Sequence, residues 1–422
     1  MKRVKILFLI LCVTMSFLPA FASHTGNDEP NGPTIYDPSL KVERFVQGIP
    51  NSPTTMAFVG NDILVLERYT GLVRLIRDGQ LLPEPVLDVA VAKDGERGML
   101  GITSVGNTVY LYFTAANSDA GQAIENRIFK YTWDGEKLVN PSLLKTLPSE
   151  NFYHNGGALT NFDGQVYAVI GDNGNYGRLQ NRPHDWKSDT SVILRIDPPG
   201  PYYAIGIRNS FGIAVDPLTG NLWDTENGPD EYDEINLVPE NFNSGWIEIM
   251  GPSNNQTKIE LLPKYENYVY SEPEFSWQKP VAPTAIEFGT KELGQEGKVF
   301  VVDCNTGSLY RFTLNSERTG LVFESPELSD LVLNVGESTD EIVLGNGFGC
   351  STDIERGPDG FLYIVSLSDG VIYRIIPAAI TEQNAEQPQR IGLPIEYIIS
   401  AIIGIAISIT MIIIKKRKSL TS

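Results

Sequence analysis

A histidine at position 154 is the first residue whose type and surroundings suggest chemistry. His154 lies in the segment 152–157, which reads F-Y-H-N-G-G. An imidazole accepts a proton near neutral pH, and the paired glycines predict a backbone that a ligand can approach closely. A single loop histidine is more often structural. A catalytic role for His154 therefore depends on the polar residues that join it.

Three further polar segments follow this histidine and contain the partners that such chemistry needs. Asp172, in the motif I-G-D-N-G, could orient an imidazole or bind a cation, although such an aspartate is more often a turn residue. Arg208 precedes Asn209 in a glycine-flanked loop, where a guanidinium can hold an anion or a developing oxyanion. The segment 225–236 has five carboxylates within nine residues. That density favours either a Ca²⁺ site or a solvated acidic turn.

The elements between these segments indicate an all-β domain. From residue 41 to 377 no helical period appears, and short apolar runs alternate with Gly, Asn, Asp and Pro. A unit of two short strands, the second often containing Arg or Lys, recurs roughly every 60 residues. Its first strands begin near residues 63, 109, 166, 222, 299 and 361. Six units predict a six-bladed β-propeller whose loops surround a site, and an array of β-sandwiches is the weaker alternative.

Both ends of the chain have the composition of targeting segments. Residues 1–22 have a basic start, an apolar run and a small-x-small site ending at Ala22, which predicts a cleaved signal peptide rather than an uncleaved anchor. Leu393–Ile414 would form about 33 Å of apolar helix, enough to span a bilayer, and the basic residues that follow are expected in the cytoplasm. The sequence thus predicts a propeller on the extracellular side of the cell membrane, tethered by one C-terminal transmembrane helix.

The domain boundaries follow from these segments. They are a signal peptide at 1–22, a linker at 23–40, the propeller at 41–377, a second linker at 378–392, a transmembrane helix at 393–414 and a basic tail at 415–422.

Charge and composition exclude several classes of protein. Seven of the 33 Lys and Arg residues lie in the two targeting ends, which leaves 26 against 52 acidic residues in the body. A body this acidic repels phosphate backbones, so nucleic-acid binding is excluded. Three His and three Cys are too few for a classical zinc module or a disulfide scaffold.

Five motifs, in this order along the chain, resemble those of the soluble glucose/sorbosone dehydrogenase family. They are H-N-G-G, G-D-N-G, I-R-N-S-F-G-I-A-V-D-P-x-T-G-N-L-W, E-N-G-P-D-E-Y-D-E-I-N-L-V and G-P-D-G-F-L-Y-I-V. The segment 94–101 also resembles an early loop of that family, and the resemblance covers roughly residues 42–377. Members of the family are aldose dehydrogenases that depend on pyrroloquinoline quinone (PQQ) and have a six-bladed propeller.

The resemblance implies roles for the residues around the histidine. His154 would be the general base that takes the proton from the anomeric hydroxyl of a sugar while a hydride passes to the quinone. Asp172 would lie beside it in the pocket. Arg208 and Asn209 would contact the quinone oxygens, and Glu96 would lie against the cofactor.

The resemblance also implies two calcium sites in the acidic segment. Gly228 and Pro229 would offer backbone carbonyls to a Ca²⁺ that binds PQQ and acts as a Lewis acid. Asp233 and Glu234 would serve a second, structural Ca²⁺. An external electron acceptor, which the sequence does not identify, would complete the reaction.

Two loops depart from the family pattern. The segments 303–307 (D-C-N-T-G) and 349–353 (G-C-S-T-D) lack the basic residues that hold the carboxylates of PQQ in the family. Cys304 and Cys350 lie in these loops, and in an oxidising compartment we expect a disulfide between them.

Three functions remain in consideration. The leading hypothesis is a membrane-tethered, PQQ-dependent aldose dehydrogenase. The missing basic residues leave open a non-catalytic propeller that binds a glycan or a protein. The acidic loops leave open a Ca²⁺-dependent hydrolase of the lactonase type, which the H-N-G-G and R-N-S-F-G loops fit less well.

Overall fold

The computed structural model describes most of the predicted propeller. The described residues are 32–174, 188–253, 255–265 and 267–378. They are mainly β-strands and loops, with one α-helix, α1 (Gln256–Leu261), and a 3₁₀ turn at Pro326–Leu328. No helix within these ranges has both the length and the apolar character of a membrane span. The predicted signal peptide (1–22), transmembrane helix (393–414) and basic tail (415–422) lie outside the described residues.

Thirty strands follow one another along the described chain. The first fifteen are β1 (Thr34–Ile35), β2 (Leu40–Gln47), β3 (Pro53–Val59), β4 (Asp62–Glu67), β5 (Leu72–Arg77), β6 (Gln80–Leu81), β7 (Leu87–Asp88), β8 (Met99–Val105), β9 (Thr108–Ala116), β10 (Ala123–Trp133), β11 (Leu138–Leu147), β12 (Leu159–Phe162), β13 (Gln165–Ile170), β14 (Val192–Asp197) and β15 (Ala204–Ile205). The rest are β16 (Ser210–Val215), β17 (Leu222–Glu226), β18 (Asp233–Val238), β19 (Phe242–Asn243), β20 (Val269–Tyr270), β21 (Phe275–Trp277), β22 (Pro283–Phe288), β23 (Lys298–Asp303), β24 (Ser308–Leu314), β25 (Leu321–Val322), β26 (Val332–Leu333), β27 (Val343–Asn346), β28 (Ser351–Arg356), β29 (Leu362–Ser366) and β30 (Val371–Pro377).

These strands form six sheets, which we number as blades in chain order. Blade 1 is β3-β4-β5-β6, with β7 beside β5, and blade 2 is β8-β9-β10-β11. Blade 3 is β12-β13-β14-β15-β19-β20, and blade 4 is β16-β17-β18-β21-β26. Blade 5 is β22-β23-β24-β27-β1, with β25 beside β24, and blade 6 is β28-β29-β30-β2. Pairing is antiparallel except for β15-β19, β19-β20 and β21-β26.

The innermost strands of the sheets close a ring. β3 contacts β8, β8 contacts β12, and the series continues through β16, β22 and β28 back to β3. Apolar side chains fill the space between neighbouring blades. Trp223 and Trp277 of blade 4, for example, are fully buried in one cluster with Phe288 of blade 5. The all-β propeller prediction is confirmed.

The strand pair that repeats in the sequence corresponds to the second and third strands of each blade. The basic residue of the third strand forms an ion pair in several copies. Arg74 lies 3.2 Å from Glu67, and Arg195 lies 2.8 Å from Glu240. The recurring Arg therefore has a structural explanation within the blade.

The ring is closed by β2, the second strand of the described chain. β2 pairs with β30 from Leu40 opposite Pro377 to Gln47 opposite Val371, so the last blade contains strands from both ends of the propeller. The predicted linker at 23–40 needs correction at its C-terminal part. β1 pairs with β27 of blade 5, and Asp37 forms an ion pair with Arg311.

Candidate active site

A pocket of about 560 Å³ opens at one end of the ring, where each innermost strand begins and each second strand ends. Seven of the nine predicted site residues line it, and further residues complete the lining. The predicted ones are Glu96, His154, Arg208, Asn209, Gly228, Pro229 and Asp233, and the others include Arg68, Asn227, Cys304 and Cys350. Asp172 and Glu234 are buried behind the wall. The six blades thus bring residues from distant parts of the chain into one concave site.

His154 is held by a buried carboxylate. Its Nδ1 lies 2.7 Å from Oδ1 of Asp172, which is fully buried. Oδ1 also accepts a hydrogen bond from the backbone N–H of Gly174 at 2.9 Å, and Oδ2 accepts one from Nε1 of Trp246 at 2.8 Å. With three donors around it, Asp172 has a fixed orientation and fixes that of the imidazole. This arrangement resembles the base-and-orienter pairs that activate a histidine for proton transfer.

The two glycines after His154 serve packing within the protein. A Cβ on Gly156 would lie 2.5 Å from the carbonyl oxygen of Val169 in β13, and one on Gly157 would lie 2.6 Å from the ring of Tyr112. Both glycines have positive φ angles, of 66° and 115°, which disfavour larger residues. Packing alone therefore explains both glycines, and the close approach of a ligand to this backbone stays a prediction. The glycines let the histidine loop lie directly against blade strands.

Arg208 connects the histidine to the other side of the pocket. Its backbone carbonyl accepts a hydrogen bond from the N–H of Asp172 at 2.8 Å, and its backbone N–H donates to Glu226 at 2.6 Å. The guanidinium donates to the carbonyl of Asn227 and lies 5.2 Å from the centre of the Trp246 ring. Burial lowers the pKa of Arg208, an effect that nearby carboxylates oppose, and a guanidinium stays charged at neutral pH.

Several polar atoms at this position lack a partner within the described residues. They are Nε of Arg208, Oδ1 of Asn209 and Oδ1 of Asn227, all buried. A buried polar atom without a hydrogen bond is unfavourable by about 1–3 kcal/mol. A polar ligand that offered both donors and acceptors would satisfy these atoms.

Glu96 lies next to the histidine and is positioned by an arginine that the sequence analysis missed. One of its oxygens accepts a hydrogen bond from the backbone N–H of His154. Burial raises the pKa of Glu96, while the nearby His154 opposes that shift. Arg68 donates to the carbonyls of Gly95 and Arg97, on either side of Glu96. Arg68 follows directly after β4, and nothing in its spacing distinguished it from the structural arginines of the repeat.

The predicted calcium ligands divide between two places. Gly228 and Pro229 line the pocket with Asp233. The two oxygens of Asp233 accept hydrogen bonds from the backbone N–H groups of Gly228, Val281 and Ala282, at 2.6–2.8 Å. These bonds give Asp233 a structural role in joining two loops of the pocket.

Glu234 faces the other side of strand β18, because successive side chains on a strand alternate. It lies with Asp224 and Glu226 of β17, opposite Glu226 in the register. Burial raises the pKa of Glu234 to about 8 and that of Asp224 to about 7. Asp233 and Glu234 therefore lie on opposite faces of β18, and a calcium site shared by both stays a prediction. Within the described residues, no group of three His, Cys, Asp or Glu side chains is arranged to hold a metal ion.

A disulfide joins the two loops that depart from the family pattern. Cys304, directly after β23, is bonded to Cys350, directly before β28, and both residues line the pocket. The expected disulfide is present in the structure. It gives blades 5 and 6 an uncharged wall at the position where the family resemblance implies basic side chains.

Trp246 is the second site residue that the sequence analysis missed. It contacts both Asp172 and Arg208 from a loop that follows β19. It is one of only five tryptophans and follows the polar segment Asn243–Gly245. A rare aromatic residue next to a polar segment is the sequence feature that could have indicated a site residue.

Comparison with known proteins places this geometry in a family. The family model for glucose/sorbosone dehydrogenase matches residues 50–374. Quinoprotein glucose dehydrogenase B of Acinetobacter calcoaceticus is 25% identical over 371 residues, covering 75% of this chain and 73% of that protein. An aldose sugar dehydrogenase of Escherichia coli is 24% identical over 357 residues, covering 77% and 90%.

A solved structure agrees with these sequence relationships. The PQQ-bound form of aldose sugar dehydrogenase from Streptomyces coelicolor superimposes with a TM-score of 0.62 at 25% identity, covering 81% of this chain and 99% of that one. The family model spans all six blades that surround the pocket of His154 and Arg208. The chain therefore belongs to the glucose/sorbosone dehydrogenase family.

Proposed function

We propose that this protein is a PQQ-dependent aldose dehydrogenase that oxidises the anomeric hydroxyl of a sugar. The observation that carries the proposal is the His154–Asp172 pair at the wall of a pocket that also contains Arg208. Relatives named as quinoprotein and aldose sugar dehydrogenases support the reaction class.

The pocket fits a flat, polar, anionic cofactor in several respects. Its volume of about 560 Å³ is within the range of cofactor and small-molecule sites. Arg68 and Arg208 bring two cations to the lining, and the unpartnered atoms of Asn209 and Asn227 provide hydrogen-bond acceptors. PQQ, when bound, would supply the two-electron acceptor for the hydride that leaves the anomeric carbon.

The chain's own residues would bind the sugar and move its proton. Asp172 engages Nδ1 of His154, so Nε2 is the nitrogen through which the imidazole accepts the anomeric proton. The negative charge of Asp172 then stabilises the imidazolium that forms. Arg208, stacked on Trp246, would donate hydrogen bonds to the quinone oxygens beside Asn209.

Calcium belongs to the same proposal. Gly228 and Pro229 line the pocket and would offer carbonyl oxygens to Ca²⁺, which would supply a Lewis acid. Asp233 would contribute indirectly, because its hydrogen bonds hold this loop against the Val281–Ala282 backbone.

The test is reconstitution of the full-length protein with PQQ and Ca²⁺, followed by dye reduction with a panel of aldoses. We expect sugar-dependent turnover that falls about 10²- to 10⁴-fold in His154→Ala, the usual contribution of a general base. The visible absorption of bound PQQ should be unchanged in the variant, which separates loss of catalysis from loss of the cofactor. Absence of PQQ binding in the wild-type protein would contradict the proposal.

A second candidate is a non-catalytic propeller that binds a glycan or a protein. The Cys304–Cys350 disulfide favours it, since that uncharged wall replaces the basic residues expected to hold PQQ. Glycan binding by a protein that neither binds PQQ nor oxidises any aldose would support this candidate over the dehydrogenase.

The location of the protein is also a proposal. The signal peptide at 1–22 and the apolar segment at 393–414 predict an extracellular propeller on a membrane tether. Protease added to intact cells should remove the propeller and leave the C-terminal tail protected. Recovery of the whole chain in the cytosolic fraction would contradict the tether.

A further inference from the structure

A second cavity, of about 870 Å³, lies beside the pocket on the outer side of the same loops. We call it the blade-2 groove. It is lined by the loop before β8, the β9–β10 turn and the loop after β11, including Asp94, Arg97, Ile124, Glu125, Glu150 and Phe152. β8 begins, β9 ends, β10 begins and β11 ends at this end of the blade. The groove therefore opens at the same end of the propeller as the pocket.

The groove and the pocket share one thin wall. Glu96 and His154 line the pocket, whereas Arg97 and Phe152, one and two residues away, line the groove. The backbone N–H of Glu96 donates to the carbonyl of Phe152 at 2.8 Å, and Gly95 packs against Phe152 so closely that a Cβ would lie 2.4 Å from its carbonyl oxygen. The groove and the pocket are thus separated by a single layer of backbone.

Arg97 gives the groove a built polar site. The Arg97 side chain is 6% exposed, and its Nε has no hydrogen-bond partner among the described residues. Arg97 also forms no ion pair with any described residue. One terminal nitrogen donates to the carbonyl of Ser149, and the guanidinium lies 4.8 Å from the centre of the Phe152 ring. A buried guanidinium with unused capacity indicates a ligand that brings hydrogen-bond acceptors.

The other lining residues restrict the chemistry of that ligand. Asp94, Glu125 and Glu150 outnumber the single Arg97 among the charged residues of the lining, so an anionic ligand is disfavoured. Carboxylates accept hydrogen bonds and the guanidinium donates them, which suits hydroxyl groups that do both. Phe152 and Ile124 are 51% and 45% exposed and offer apolar surface to the carbon face of a ring.

We propose that the blade-2 groove is a second sugar subsite, so that the substrate is the reducing end of a neutral oligosaccharide. Its terminal unit would occupy the pocket, and the following units would cross the wall and lie between Phe152 and Ile124. This inference rests on the proposed aldose dehydrogenase function. Binding energy from units remote from the reacting carbon then favours longer substrates.

The first experiment measures binding without catalysis. Methyl maltotrioside and methyl cellotrioside, which lack an oxidisable anomeric hydroxyl, are titrated into the full-length protein and followed by calorimetry and saturation-transfer NMR. We expect at least one to bind, with a Kd about tenfold higher in Phe152→Ala and in Ile124→Asp. Phe162→Ala, an exposed phenylalanine of β12 outside the groove, is the matched control and should bind like the wild type.

The second experiment separates this inference from the proposed function. With the PQQ-loaded protein, the ratio of kcat/KM for the trisaccharide to kcat/KM for the monosaccharide should fall about tenfold in the two groove variants. If no sugar is oxidised, the dehydrogenase proposal fails while the binding titration still decides the groove. Absence of trisaccharide binding, equal binding in all variants, or an unchanged kcat/KM ratio would each overturn the subsite.

Discussion

At the scale of single residues, the site depends on one chain of hydrogen bonds. Trp246 donates to Asp172, Asp172 engages His154, and the backbone of Arg208 bonds to the N–H of Asp172. All of these groups are buried or nearly so. Each one therefore has a single geometry, and the orientation of the imidazole follows from its neighbours rather than from its own loop.

Replacing Asp172 with Asn tests whether the carboxylate beside His154 is needed for catalysis and not only for folding. The amide keeps the volume but removes the charge that stabilises an imidazolium. We expect kcat to fall about 10²- to 10⁴-fold with little change in the midpoint of thermal unfolding. The readout is kcat against pH, together with circular dichroism. Wild-type kcat in this variant would show that Asp172 has only a structural role.

Replacing Trp246 with Phe tests the next link in the chain. Phe keeps an aromatic ring under Arg208 but removes the N–H that donates to Asp172. A hydrogen bond to a charged group contributes about 1.5–3 kcal/mol, so kcat should fall by roughly ten- to a hundredfold. Trp277→Phe is the control, because its ring is equally buried but Nε1 has no partner among the described residues. Equal losses in the two variants would contradict a specific role for the Trp246 N–H.

At the scale of elements, loops from different blades must be held together for the pocket to exist. Asp233 joins the β17–β18 loop to the segment before β22, and the disulfide joins the loop after β23 to the loop before β28. Backbone hydrogen bonds of Gly347 and Phe348 to Gly307 support the same junction. The pocket wall on blades 5 and 6 thus has both covalent and hydrogen-bonded connections.

The disulfide should contribute measurably to stability. It closes a loop with a sequence separation of 46 residues, and its loss in Cys304→Ser/Cys350→Ser should lower the free energy of unfolding by about 2–4 kcal/mol. Urea unfolding with and without a reductant provides the measurement. The reductant should destabilise the wild-type protein and leave the double variant unchanged. Two free thiols in non-reducing peptide mapping would contradict the bond.

At the scale of the whole molecule, the closed ring buries acidic groups in its central channel. A cavity of about 220 Å³ is lined by Glu287, Asp353 and Glu355 from the innermost strands β22 and β28. Burial raises the pKa of Asp353 to about 7, and it raises the pKa values of Glu287 and Glu355 as well. These shifts exist only because six blades exclude solvent from the axis.

The contribution of Asp353 to the stability of the folded protein should therefore decrease as the pH rises from about 4 to about 7. In that window Asp353 keeps its proton in the folded state and loses it in the unfolded state, where its pKa is near 3.8. Asp353→Asn removes this titration and should reduce the decrease by about 2–4 kcal/mol, at 1.36 kcal/mol per pKa unit. Thermal unfolding across this pH range is the measurement, with exposed Asp340→Asn as the control. Parallel pH profiles for wild type and Asp353→Asn would contradict the shift.

Much of the architecture could be predicted because local sequence patterns, strands separated by turn residues, indicate it. The second and third strands of each blade alternate with turn residues at regular intervals, which is sufficient to identify six units. The repeat in the sequence does not include the innermost strand of each blade. These innermost strands contain glycine and polar residues, such as Gly101 in β8 and Glu287 in β22, because they line the channel rather than an apolar core.

By itself, the sequence determined the fold class and the family motifs and predicted most residues of the candidate site, since those depend on residue type and order along the chain. Only the tertiary structure decided which of them act together. It placed Asp172 on His154, separated Asp233 from Glu234 across a strand, and brought Trp246 and Arg68 to the site. The physical reason is that ring closure and strand alternation set these distances, and neither is encoded in the spacing of any single motif.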